Sequence, residues 1–171
     1  MNLLRRERPP ASVLALLASG ERVLSWADTA DGNVVLATPL GLWWPADAGT
    51  RRIGWQYISK ASWQDDVLTV IEGEVEDDLI RDRRPVAVAL ATPRNLPVVV
   101  RKRVNANIVK TELATIAGGA VRFVGRRMPG AGGIAWWARL EPGTPMTEDV
   151  RSAVHARLEL LRAQWNAAND P

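Results

Sequence analysis

The side chains that could do chemistry are few and scattered. His155 is the one histidine of the 171-residue chain, and there is no cysteine. The lack of cysteine excludes a disulfide framework, a Cys-based zinc site and a thiol nucleophile. A single histidine excludes a two-histidine metal site or a facial triad built within one chain. As a general base His155 would need a pocket and an orienting partner. It sits instead beside the apolar stripe of a predicted helix, next to Arg151 and Glu159, and reads as solvated. The glycines of "GRRMPGAGG" are followed by no Lys-Ser/Thr pair, and a strand rather than a helix comes next. They make a hairpin loop, not a phosphate cradle. The acidic run Glu72 to Asp78 lacks the spacing and glycine of a calcium loop and reads as a solvated connector. No catalytic residue, metal or cofactor is predicted. An enzyme using only Asp and Arg would need a deep pocket with converging carboxylates.

Charge and tryptophan are the features that stand out. The formal charge is +3, too mild to mark a nucleic-acid binder by itself. Its distribution is uneven: residues 65–82 hold eight acids and one base, net −7, and residues 94–127 hold eight bases and one acid, net +7. Arg101, Lys102, Arg103 and Lys110, with Arg122, Arg126 and Arg127 on the following hairpin, form one anion-attracting patch if helix and hairpin are neighbours. They are the candidate partner-binding residues. There are eight tryptophans, four of them in the doublets 43–44 and 136–137. Successive strand side chains point to opposite faces, so each doublet is expected to send one ring inward and one outward. About two rings are then left for the helices or a partner to cover.

The elements that must position these residues are mostly short strands. Arginines precede the apolar run of "MNLLRRERPPASVLALLASG", but the run is far short of the roughly 20 residues that span a bilayer. It reads as a first helix that Pro10 starts and Gly20 stops. "ERVLSWA" and "VVLAT" flank an Asp-Gly turn, a strong hairpin signal. "LGLWWP" adds a strand ending at Pro45, "RRIGWQYI" a strand or two, "SKASW" a short bridge, "DVLTVIEG" a strand apolar on both faces, and "VAVALAT" another. In "LPVVVRKRVNANIVKTELATIAGG" the spacing of Val100, Val104 and Ile108 predicts a helix. "AVRFVGRRM" and "IAWWARL" form the closing hairpin. "TEDVRSAVHARLELLRAQW" is a helix with Thr147 as N-cap and a stripe of Val150, Val154, Leu158, Leu161 and Trp165. The expectation is an α+β chain of about seven antiparallel strands.

The stretch "GERVLSWADTADGNVVLATPLGLWW" followed by "RRIGWQYISKASWQDDVLTV" resembles the bacterial pleckstrin-homology-like domains. "RKRVNANIV" and "GIAWW" are similar to stretches in uncharacterised actinobacterial proteins. The resemblance implies an antiparallel β roll or barrel, capped at one end by the C-terminal amphipathic helix, and a binding module without an active site. Eukaryotic relatives bind phosphoinositides through bases on the first two strands and their loop. Here that loop, "DTADGN", is acidic and only Arg22 could contribute, which disfavours a phosphoinositide ligand; bacterial members are protein-interaction or self-assembly domains.

The predicted layout is a basic tail over 1–10 and a single domain over 11–166. Within the domain lie a main β region (21–91), a basic helical insertion (94–116), a β hairpin (120–140) and the capping helix (147–166). The predicted role is a non-enzymatic, cytoplasmic module that recognises a protein partner or a second copy of itself. The alternative is a nucleic-acid accessory protein that uses the basic 94–127 region.

Overall fold

The computed structural model describes residues 8–116 and 118–169. The architecture is α+β: a large, mostly antiparallel open sheet with a C-terminal helix. Among the described residues there are eleven strands rather than about seven, and the reason is local. Asp65-Asp66 and Asp77-Asp78 all adopt positive φ, between 48° and 65°. That is the conformation which two-residue hairpin turns require and which Asp tolerates better than most residues. "SKASW" is therefore part of a strand, β5 (Ile58–Gln64), that turns at Asp65-Asp66 into β6 (Val67–Glu76). The acidic run, expected to be a connector, ends β6, turns at Asp77-Asp78 and begins β7 (Leu79–Asp82).

β6 pairs with β5 on one edge. Its other edge pairs first with β8 (Val86–Thr92) and then with β7. The β7–β8 line breaks at Arg83–Pro85, where proline has no N–H to give, and there the sheet forks. One branch continues from β8 through β1 (Ser25–Thr29), β2 (Val34–Ala37), β3 (Gly41–Ala46) and β4 (Gly49–Gly54). The other continues from β7 through β11 (Ile134–Leu140) and β10 (Gly119–Arg127) to β9 (Ile108–Ile116). The β7–β11 pairing, Leu79 with Ala138, is parallel.

Each branch has its own apolar core. The first gathers Val35, Leu42, Trp44, Ile53, Trp55, Ile58, Leu68 and Val70 around Leu96, Val100 and Val104 of α2 (Leu96–Asn107). The second gathers Val121, Phe123, Trp136 and Ala138 under Val150, Val154, Leu158 and Leu161 of α3 (Glu148–Asn169). Two expectations need correction. The helix that closes the first core is α2, not the C-terminal one; α3 covers β9–β11. And the basic 94–116 segment is helical only to Asn107, after which Ile108 begins a strand. The stripe of α3 and its Thr147 cap are as expected, with the Val150 amide donating to Thr147 Oγ1 at 3.2 Å. The first helix shrinks to one turn, α1 (Ala11–Leu14), and most of the predicted basic tail lies outside the described residues. No helix among the described residues is long and apolar enough to cross a membrane.

Candidate interaction site

The tryptophan doublets alternate as strand geometry demands, but the outward rings find cover within the chain. Trp44 enters the first core. Trp43 lies on the outer face in a cross-strand ladder, Trp26–Leu36–Trp43–Arg52. The Arg52 guanidinium stands 5.7 Å from the Trp43 ring and that of Arg94 3.6 Å from Trp26, cation–π contacts that shield both faces. The Trp43 indole donates to Glu21 Oε1 at 3.3 Å. In the second doublet Trp136 enters the α3 core and meets Trp165 edge-on at 6.2 Å, lying across Gly125, where a side chain would crowd it. Trp137 faces the other branch and stacks on Tyr57 at 5.5 Å. Trp63 is the large ring left most open, 37% exposed.

The seven predicted basic residues do not make one surface. Arg101 and Lys102 are exposed on α2, and Arg127 is exposed at the end of β10. Lys110 pairs across the ladder with Gly125, which puts it on the sheet face opposite Arg122. Arg122 is engaged with Glu141 at 2.9 Å. Arg126 is 5% exposed and donates to the Ile58 carbonyl at 3.2 Å. It holds the two branches together rather than facing solvent. Of these bases only Arg126 acts on the acidic stretch, through the charge of Asp82. The carboxylates of that stretch pair with Arg51, Arg83, Arg139, Arg151 and Arg162.

Three of the basic residues line pockets. Arg103 and Arg127 line a hollow of about 380 Å³ between the end of α2 and the hairpin loop at Pro129–Gly133. There Asn107 Nδ2 donates to the Arg127 carbonyl at 2.8 Å. Arg101 lines a groove of about 410 Å³ between β5 and α2, with Trp63, Leu68, Pro97 and Val98. Val98 is 68% exposed. No family model matches this chain, and neither does any curated protein or solved structure.

A concavity of about 690 Å³ lies where the Asp77-Asp78 turn meets α3, and His155 and Ser152 are on its wall. Its carboxylates are engaged by arginines: Asp77 faces Arg151 at 3.7 Å and Asp78 accepts from Arg162 at 2.9 Å. Among the described residues no three His, Asp or Glu side chains come together as a metal-binding group. The β5–α2 groove is the better interaction site. Sequence reasoning missed it because Trp63 and Val98 meet only through tertiary packing. The available signal was Val98 itself, an apolar residue off the Leu96–Val100–Val104 stripe.

Proposed function

We infer that this chain is a non-enzymatic binding module of the pleckstrin-homology-like kind, which takes an extended segment of a protein partner into the β5–α2 groove. The observation that carries this reading is the pair of open apolar side chains, Trp63 on β5 and Val98 on α2, lining one groove with Arg101. Among the described residues β5 pairs only with β6, so its second edge has main-chain groups to offer an added strand, while the groove reads alternate side chains. Arg101 and neighbouring Lys102 favour acidic residues beside the apolar anchors. The order β4-β3-β2-β1-β8-β6-β5, closed by α2, supports the family reading. A cysteine-free chain suits a reducing cytoplasm. The nucleic-acid alternative draws less support, because phosphate contacts need a continuous basic face and here Arg126 is buried, Arg122 is engaged and Lys110 lies on another face.

Selection of a random eight-residue peptide library on the full chain tests it. Enriched sequences are expected to alternate apolar and acidic residues. Val98→Asp combined with Arg101→Glu is expected to reduce their binding at least tenfold, with an unchanged thermal midpoint, since both side chains are exposed. Peptides that bind this variant as well as the wild type would place recognition elsewhere.

A further inference from the structure

We propose that β9 is a self-pairing edge: a second copy of the chain adds antiparallel to it, centred on Leu113, and continues the sheet across a twofold axis. This surface is separate from the β5–α2 groove. An unpaired strand edge is a template for another strand, and proteins blunt such edges with charge, brevity or cover. β4 is blunted by exposed Arg51 and Arg52, and the free edge of β5 belongs to the groove. β9 is not blunted. It has nine residues, pairs only with β10 among the described residues, and buries none of its side chains. Leu113, at its middle, is 57% exposed.

The occupant is read from the sequence of the strand. "TELAT" repeats Thr-x-Leu-x-Thr in both directions. Pairing about Leu113 sets Leu113 against Leu113, Thr111 against Thr115, Glu112 against Ala114 and Lys110 against Ile116. No like charges oppose each other, and opposed leucines and threonines are favourable pairs. Shifting the centre to Glu112 would oppose two carboxylates. Glu112 is already neutralised by Arg157 of α3, whose Nε donates to it at 2.7 Å. Leu160, three residues along the same flank of α3, is exposed. A twofold axis normal to the sheet keeps both α3 helices on one side, so the two Leu160 side chains flank the seam.

Sedimentation of the full chain over a dilution series is expected to show a dimer. Leu113→Lys, which opposes two ammonium groups at the axis, is expected to give a folded monomer with the circular dichroism of the wild type, its thermal midpoint no longer dependent on protein concentration. The cysteine-free background reads the register. Oxidised Leu113→Cys is expected to form a covalent dimer; Thr111→Cys or Thr115→Cys alone should not, but a mixture of those two should. A monomeric wild type overturns the proposal. So does a dimer that Leu113→Lys leaves intact, or one in which the thiols introduced by Leu113→Cys stay reduced under oxidant. Val98→Asp should leave the dimer intact and Leu113→Lys should leave peptide binding intact, so the two readings fail independently.

Discussion

Arg126 is buried beside the partly exposed Asp82–Arg139 ion pair. Burial, together with the like charge of Arg139, pushes its pKa down to about 10, against the pull of Asp82. It is therefore still charged at neutral pH, with the Ile58 carbonyl as acceptor. Reversing an exposed arginine changes association; reversing this one changes folding. Arg126→Glu leaves a buried carboxylate facing the Ile58 carbonyl with no donor and is expected to cost about 3–5 kcal/mol, the scale of an uncompensated buried charge. Chemical denaturation checks this, and a loss under about 1 kcal/mol would mean that the guanidinium is not needed at the junction. Nothing in "GRRMP" separates Arg126 from Arg127. One is buried and the other exposed because β10 alternates and only one of its faces meets the first branch.

At the scale of elements, the turns decide the topology. Asp66 sits at φ 60°, a conformation that a β-branched side chain resists. Asp66→Val is expected to destabilise by about 1–2 kcal/mol and Asp66→Gly to be neutral or slightly stabilising, as thermal unfolding of the pair would show. The Asp-Gly hairpin and the α3 stripe were legible in the sequence because each follows a strong local rule. The Asp-Asp turns were not, because carboxylates next to one another read equally well as a solvated run. The end of α2 was hidden for a different reason. Ile108 continues the Val100–Val104 spacing, and pairing with Arg126 across β10, rather than any local signal, turns it into a strand. Of the candidate site, the exposure of Arg101 and Lys102 followed from helical spacing, while the partnership of Trp63 and Val98 needed the fold.

For the molecule as a whole, two carboxylates tie distant segments together. Burial alone would raise Glu21, but hydrogen bonds from Thr38, the Ala18 amide and Trp43, with Arg52 at 3.1 Å, hold it below its ordinary 4.5. Asp82, likewise opposed by burial, is held below 3.8 by Arg139, Ser59 and Arg126. Groups whose folded pKa is depressed stabilise above their unfolded values and lose that contribution as pH falls through the folded ones. The thermal midpoint is expected to be flat from pH 7 to about 5 and to drop below about 4.5. The drop should be shallower in Glu21→Gln and in Asp82→Asn, measured relative to each variant's own value at pH 7; equal slopes would remove both groups from the acid response.

The fork at Arg83–Pro85 also governs how the polypeptide could be divided. A cut between Asn107 and Ile108 leaves the α3 half without β7, whose Leu79 belongs to that half's core. It leaves the other half with a bare β7 edge and with Tyr57 and the Ile58 carbonyl missing Trp137 and Arg126. Neither fragment is complete, and each carries what the other lacks, which is the design of a split reporter whose pieces regain their shape only on meeting.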